Sequence, residues 1–176
     1  MLFASGGNSG DVIVVGVPSM RILKYIAVFT PEQWQGYGYD DDTKRILQEG
    51  SPKGAMLTWG DVHHPALSQT KGEYDGQYLF VNDKANARIA VISLKDFSTH
   101  QIVRSGLITD DHGGAFVTPN TEYVMEPAQY AAPLGNTYSP LSTYQQKYRG
   151  ANFRKTGKRT VGRHEAEAQS RADAGF

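Results

Sequence analysis

The chain has 176 residues, with 18 Lys and Arg against 18 Asp and Glu, five His and no Cys. This length accommodates one ordinary domain or a piece of a larger one. Because cysteine is missing, disulfide scaffolds, thiolate zinc sites, iron–sulfur clusters and cysteine nucleophiles are excluded. A metal would have to be bound by His, carboxylate or carbonyl groups. The formal net charge of zero argues against a nucleic-acid-binding protein whose affinity rests on neutralising phosphates.

The zero net charge hides an asymmetry between residues 1–150 and residues 151–176. The second segment contains six of the basic and three of the acidic side chains, which leaves 12 basic and 15 acidic ones for the first. The large apolar residues of the second segment are only Phe153, Val161 and Phe176. Such a segment cannot build a core, so we expect a basic, disordered or aberrant tail after residue 150.

Short strands are predicted along residues 1–150, because β-branched and aromatic residues occur in runs bounded by Gly, Pro, Asn and Asp. The runs at residues 11–17 and 23–29 predict a hairpin. Residues 32–51 are polar and Gly-rich and predict a long surface excursion, in which only DDDTKRILQEG favours a short helical turn.

A second group of strands follows residue 72. The pattern predicts a turn at Asp75 and Gly76 and three strands at residues 78–81, 88–94 and 101–103. The cycle then restarts with strands at residues 114–117 and 122–125. A recurrence after about 40 residues is typical of β-propeller blades, each a small antiparallel sheet. We therefore predict an all-β fold, a partial β-propeller of about two blades, which is a fragment because two blades cannot close a ring.

The sharpest chemical feature is the GDVHHP motif at residues 60–65. Adjacent histidines on a regular strand point to opposite faces, so a ligand shared by His63 and His64 requires a loop, which Gly60 and Pro65 favour. Imidazole suits copper and zinc, and Asp61 could orient a ring by accepting its other N–H. The alternative is a pair of half-exposed loop histidines.

A second candidate is His112, which precedes a Gly pair that permits tight backbone geometry at a strand entry. In a propeller its loop and the GDVHHP loop would reach the same channel mouth, although a simple turn histidine is the alternative. His100 is predicted to face outward from a strand. The carboxylates at residues 40–42 and 110–111 lack EF-hand spacing and are predicted to be solvated loops.

Four segments resemble the N-terminal part of nitrous oxide reductase in order and spacing: FASGGNSGDVIVVGVPSMR, WGDVHHP, YDGQYLFVNDKANARIAVISL and DHGGAFVTPNTEYV. The resemblance extends from about residue 3 to residue 150. YAAPLG and KYRGA are more similar to the branch exported by the general secretory route than to the twin-arginine branch.

The resemblance implies a periplasmic, head-to-tail homodimeric copper enzyme of denitrification that reduces N₂O to N₂ and water. In that family a seven-bladed propeller carries a tetranuclear copper–sulfide cluster on seven histidines, and a cupredoxin domain carries a dinuclear copper centre. Cytochrome c or a cupredoxin donates the electrons. The family motifs fall on His63, His64 and His112 as cluster ligands, with Asp61 as a nearby carboxylate that supports them.

The departures from the family are equally specific. The remaining four cluster histidines, the dinuclear centre with its two cysteines and the calcium ligands have no counterpart in this chain. After residue 151 the family would continue into an apolar strand, whereas this chain reads NFRKTGKRTVGRHEAEAQSRADAGF. We hypothesise a frameshifted or misjoined tail, which translation of the other two reading frames tests: neither frame resuming a strand-rich sequence would refute it.

Two readings of function follow. One is a fragment of nitrous oxide reductase that contributes part of the cluster's ligand set and is inactive by itself. The other is a non-catalytic, truncated β-propeller that binds a partner or a stray divalent ion. No window reaches the length of a membrane span, and MLFASGGNSGD lacks the features of a secretory signal. A periplasmic location is therefore an expectation from the resemblance alone.

Overall fold

The computed structural model describes residues 1–51, 55–104, 108 and 110–129, together with the backbone of 151–153. Strands dominate this part of the chain. They are β1 (Leu2–Ser5), β2 (Asp11–Val15), β3 (Ile22–Ala27), β4 (Val62–Thr70), β5 (Glu73–Asp83), β6 (Arg88–Ser93), β7 (Ser98–Arg104), β8 (Phe116–Val117), β9 (Val124–Glu126) and β10 (Ala151–Phe153). The helical elements among these residues are a 3-10 turn at Gln33–Gln35 and the helix α1 at Asp41–Gln48.

The strands form three antiparallel sheets. Their orders are β1-β2-β3, β4-β5-β6-β7 and β10-β9-β8. The middle sheet is a four-stranded meander, which is the structure of one propeller blade. None of the three sheets closes on itself within the described residues. The prediction of an all-β, partial propeller is confirmed.

The middle sheet is packed on both faces, and the alternation of side chains along β5 shows how. Leu79 and Val81 contact the core made with the first sheet, where Val12 and Ile26 are fully buried. Phe80 points the other way and packs with Val124 of β9. All six residues of β6 are buried. A strand buried on both faces favours apolar residues at successive positions, which is why residues 89–92 of β6 (IAVI) show no alternation, while the buried Arg88 at its start is paired with Asp83.

The predicted hairpin of the first sheet and the helical turn in the polar excursion are confirmed as β2, β3 and α1. Asp40 begins α1 by accepting the backbone N–H of Thr43 at 2.8 Å. This bond and one from the Thr43 hydroxyl lower the pKa of Asp40. The carboxylates of residues 40–42 are exposed as predicted, although Asp41 and Asp42 belong to α1 and not to a loop. The solvated loop predicted at residues 110–111 is wrong for Asp111, which is 1% exposed.

The turn predicted at Asp75 and Gly76 is wrong, because both residues lie inside β5. The Asp-Gly signal instead produces an irregularity in the register between β4 and β5, after Leu67. There the Asp75 carboxylate accepts hydrogen bonds from Ser68, from Thr70 at 2.9 Å and from the N–H of Gln77 at 3.0 Å. The chain reverses at Lys71 and Gly72, both of which have positive φ.

The predicted boundary between the propeller segment and the tail, at residue 150, lies immediately before strand β10. The backbone of Ala151–Phe153 pairs antiparallel with β9, so these three residues of the predicted tail extend the third sheet. Residues 154–176, including His164, lie outside the described part of the chain. In the described part, no helix is long and apolar enough to cross a membrane.

Candidate metal centre

Three histidines that are far apart in the sequence converge in the structure. One ring nitrogen from each of His63, His64 and His112 can be chosen so that all three atoms lie within 4.8 Å of one another. The ring centroid of His112 is 4.5 Å from that of His63 and 4.9 Å from that of His64. The structure thus brings together the three histidines that the sequence singled out.

His63 and His64 lie at the start of β4, not in the loop that the sequence predicts. The strand is irregular at this point. His63 pairs with Asn82 of β5, the register then shifts before Ala66, and His64 has a left-handed φ of 46°. A bulge breaks the rule that neighbouring side chains point to opposite faces. The two rings therefore remain on one side, with centroids 5.6 Å apart. Such strained backbone is found most often at functional sites.

The outer nitrogens of two rings are held by oxygen atoms of neighbouring side chains. The Nε2 atom of His63 lies 3.1 Å from Oδ1 of Asp61, and Nδ1 of His112 lies 2.7 Å from Oε1 of Gln129. Their inner nitrogens, Nδ1 of His63 and Nε2 of His112, are 3.0 Å apart. If the outer nitrogens donate to these oxygens, the inner lone pairs face one another. Metal-binding histidines are oriented in this way.

Gln129 is a site residue that the sequence analysis missed. Its backbone N–H donates to Oδ1 of Asp110 at 2.9 Å, and the N–H of Gly113 donates to the carbonyl of Pro127 at 3.0 Å. A Cβ at Gly113 would overlap the ring of Pro127, so glycine is required for this approach. No motif marks Gln129 in the sequence, because its position beside His112 depends on the pairing of these two segments.

Asp61 is held by a buried ion pair. Oδ1 of Asp83 accepts the backbone N–H of Asp61 at 2.9 Å, and Oδ2 of Asp83 accepts from Nε of Arg88 at 2.7 Å. The side chains of Asp83 and Arg88 are fully buried. Arg88 also donates to the carbonyl of Trp59 at 2.9 Å. A Cβ at Gly60 would overlap the Asp83 carboxyl group, so Gly60 allows this approach.

His64 is the most exposed of the three rings. Partial burial, followed by the charges that His112 and His63 carry when protonated, lowers its pKa from the ordinary value of 6.5. At a pH below its pKa, a histidine is protonated on both ring nitrogens and cannot bind a metal. The lowered pKa therefore keeps the neutral ring of His64 available down to a more acidic pH.

His100 lies away from this cluster, on β7, and is exposed as predicted. Its Nε2 atom is 3.4 Å from Oδ2 of Asp96, four residues earlier in the chain. This pair has the same residue types as Asp61 and His63, but among the described residues no other histidine joins His100 in a cluster that could hold a metal ion. It therefore supplies matched controls for variants of the candidate centre.

Replacing Asp61 with Asn is expected to weaken copper binding by about 10–100-fold, the usual effect of losing the carboxylate that orients a metal-binding histidine. The affinity is measured by competition with a chromophoric Cu(I) chelator under argon. The control is Asp96→Asn, which changes the same kind of contact at His100 and is expected to leave the affinity unchanged. Equal affinities of the parent and Asp61→Asn would contradict a role for this carboxylate.

The stacked antiparallel sheets and the three converging imidazoles define part of a β-propeller with a candidate metal centre at the end of a blade strand. No family model matches the chain. Over 135 residues, or 76% of its length, the chain is 42% identical to the nitrous-oxide reductase of Pseudomonas fluorescens and 39% identical to that of Stutzerimonas stutzeri. The nitrous-oxide reductase of Ralstonia nicotianae is 31% identical over 144 residues.

The chain is therefore homologous to the nitrous-oxide reductases. It covers 20% of the first two proteins and 22% of the third, so it spans about a fifth of the length of the curated relatives it matches. The resemblance seen in the sequence motifs is confirmed at the level of the family. The similarity to the branch exported by the general secretory route stays a prediction.

Proposed function

We propose that this chain is the part of a nitrous-oxide reductase that supplies His63, His64 and His112 to a copper centre. The observation that carries the proposal is the orientation of His63 and His112, whose outer nitrogens contact Asp61 and Gln129 while their inner nitrogens face one another. A set of neutral imidazoles without coordinating carboxylates suits copper better than calcium or magnesium.

The donor set fits copper in number and chemistry. The inner nitrogens of His63 and His112 are 3.0 Å apart, close enough for both imidazoles to hold one copper ion. A ring nitrogen of the third imidazole, His64, lies within 4.8 Å of a ring nitrogen of each of the other two. Bound copper would supply the electrons that N₂O, a weak ligand and an inert oxidant, requires for reduction to N₂ and water.

The residues of this chain hold and orient that centre. Asp61 fixes the ring of His63 and keeps its Nε2 proton in place, and Gln129 does the same for Nδ1 of His112. The buried pair of Asp83 and Arg88 fixes the backbone of Asp61. Rigid support of this kind prevents the rings from turning away when the metal changes its charge.

The remaining properties belong to the whole protein and are part of the same proposal. They are a tetranuclear copper–sulfide cluster completed by histidines outside this chain, a dinuclear copper centre, calcium sites, a homodimer, electron supply by cytochrome c or a cupredoxin, and a periplasmic location. The names of the relatives support N₂O as the substrate. For the 176-residue chain alone we expect copper binding without turnover of N₂O, because three imidazoles cannot hold four copper ions and the chain has no cysteine for the dinuclear centre through which electrons would enter.

A copper titration of the purified chain tests this proposal. With Cu(I) under argon we expect saturable binding that is lost in a chain carrying Ala at His63, His64 and His112, followed by no N₂O consumption with reduced viologen dye. The alternative, a non-catalytic β-propeller module, predicts that this triple variant and the parent bind copper equally weakly. Equal weak binding would overturn the copper proposal, and N₂O turnover by the chain alone would overturn the expected inactivity.

A further inference from the structure

The turn between β1 and β2 lies against the residues that support the candidate copper centre. This turn, residues 6–10 with the sequence GGNSG, is called the glycine turn below. The backbone N–H of Val62 donates to the carbonyl of Gly7 at 3.0 Å. The indole Nε1 of Trp59 donates to the carbonyl of Asn8 at 2.8 Å. Two hydrogen bonds therefore join this turn of the first sheet to the segment that leads into β4.

Asp61 lies between these two points of attachment, and its carboxylate lies next to the glycine turn. A Cβ added at Gly7 would be 3.8 Å from Oδ1 of Asp61, the oxygen that contacts Nε2 of His63 at 3.1 Å. Gly7 has a φ of 62°, a left-handed conformation that glycine adopts without strain. The backbone of the turn can therefore pass close to this carboxylate.

The glycine turn is held in one shape by hydrogen bonds of its own and by a bond to the first sheet. The N–H of Gly10 donates to the carbonyl of Gly7 at 3.1 Å, and the hydroxyl of Ser9 donates to the carbonyl of Gly6 at 3.1 Å. The carbonyl of Gly10 accepts the N–H of the fully buried Phe29 at 2.8 Å. The first sheet therefore determines where the turn lies above Asp61.

The low exposure of Asp61 sets it apart from the other aspartate that contacts a histidine. The side chain of Asp61 is 14% exposed, whereas that of Asp96, which contacts His100, is 54% exposed. The distance from nitrogen to oxygen is 3.1 Å in the first pair and 3.4 Å in the second. A hydrogen bond that is shielded from water is electrostatically stronger than one in solvent. The same two residue types therefore make the closer contact where the chain covers them.

We propose that Trp59 is a positioning residue of the copper centre, which holds the glycine turn over Asp61 and so keeps water from competing for the contact with His63. The inference rests on the proposed function, because its consequence is the orientation of a copper-binding ring. The carbonyl of Trp59 accepts from Arg88 at 2.9 Å and from Nδ2 of Asn86 at 3.1 Å, so its backbone is fixed while its indole reaches the turn. The first sheet thereby supports the centre without supplying any of the three histidines.

Replacing Trp59 with Phe removes the indole N–H and keeps an aromatic ring. We expect the Cu(I) affinity of the full chain, measured by competition with a chromophoric chelator under argon, to fall roughly 2–10-fold, the range that corresponds to one hydrogen bond. The matched control is Trp34→Phe, because Trp34 is 97% exposed on the 3-10 turn and this variant is expected to bind copper like the parent. Equal affinities of the parent and Trp59→Phe would overturn the proposal.

A double-mutant cycle with Asp61→Asn separates positioning from a general loss of stability. If Trp59 acts through Asp61, then Trp59→Phe has little further effect on the affinity of a chain that already carries Asp61→Asn. All affinities are measured well below the unfolding midpoint of each variant. An equal fold-change in both backgrounds would show that Trp59 acts by another route, which would overturn the proposal.

Proton exchange in the metal-free chain separates this inference from the copper proposal. With ¹⁵N-labelled histidine at about pH 8, where the rings are neutral, we expect the Nε2 proton of His63 to exchange slowly with water in the parent and faster in Trp59→Phe. His100 is the internal reference and is expected to exchange fast in both chains. A parent that binds no copper would overturn the proposed function, and the exchange comparison would still test the shielding. Equal exchange at His63 in the two chains would overturn the inference.

Discussion

Replacing Asp83 with Asn is expected to lower the free energy of unfolding by about 3–5 kcal/mol, the usual cost of leaving a buried charge without its partner. The Arg88 guanidinium would remain fully buried after the change. It would keep its bonds to the carbonyls of Trp59 and Leu47 and its position 4.8 Å over the ring of Phe29. None of these groups carries a negative charge, so none replaces the lost carboxylate.

The effect is measured by urea unfolding at pH 7, with Arg45→Met as a control. Arg45 forms an exposed pair with Glu49 at 2.9 Å on α1. A pair of this kind contributes only about 0.3–0.5 kcal/mol. A double-mutant cycle adds Arg88→Met, and we expect the double variant to be more stable than the sum of the single effects predicts, because both buried charges are gone. Equal effects of Asp83→Asn and Arg45→Met would show that the buried pair does not secure the fold.

The same substitution is also expected to weaken copper binding. Asp83 fixes the N–H of Asp61, and Asp61 contacts His63. A merely structural role would lower the stability but leave the affinity of the folded chain intact. The copper affinity of folded Asp83→Asn, measured well below its unfolding midpoint, therefore separates the two roles.

Removal of one of the three clustered imidazoles, which we propose bind copper, is expected to have the second large effect. Loss of a supporting carboxylate usually reduces metal affinity about 10–100-fold. We expect His63→Ala and His112→Ala each to reduce the copper affinity by more than this. His64→Ala should reduce it as well, and stability should change little because all three rings are partly exposed. The control is His100→Ala, an exposed histidine on the same sheet.

For a longer protein that contains this segment, the proposal of a copper–sulfide cluster and a separate dinuclear copper centre predicts that changing both His63 and His64 to Ala abolishes the optical signature of the cluster alone. Under the same proposal the two centres are separate chromophores, so the dinuclear centre serves as an internal control for folding and copper loading. An unchanged cluster spectrum would remove these histidines from the ligand set.

Much of the fold was predictable because several strands have sequences with a strong local preference for the extended conformation. The runs that became β2, β3, β5 and β6 are rich in β-branched residues, and such residues fit a pleated, buried sheet. β1 and most of β4 were not predicted. HHPALSQT is largely polar, and its strand conformation is decided by pairing with β5. The turn predicted at Asp75 and Gly76 was wrong for a similar reason. The long pairing between β4 and β5 continues past these residues, and the local turn preference produces only an irregularity in the register.

For the candidate centre, the sequence by itself determined the residue types: three imidazoles in two short motifs, a carboxylate beside one of them and no cysteine. It could not determine how the rings meet. Tertiary structure decided that through the bulge at His64, the contact between Gln129 and His112, and the hydrogen bond from the N–H of Asp61 to Asp83. These contacts join segments separated by 17 or more residues. Local sequence patterns report on backbone preferences over a few residues, whereas such contacts depend on strand register and on the stacking of whole sheets. The burial of Asp111 and Glu126 came from the same stacking, which no local pattern in the sequence reveals.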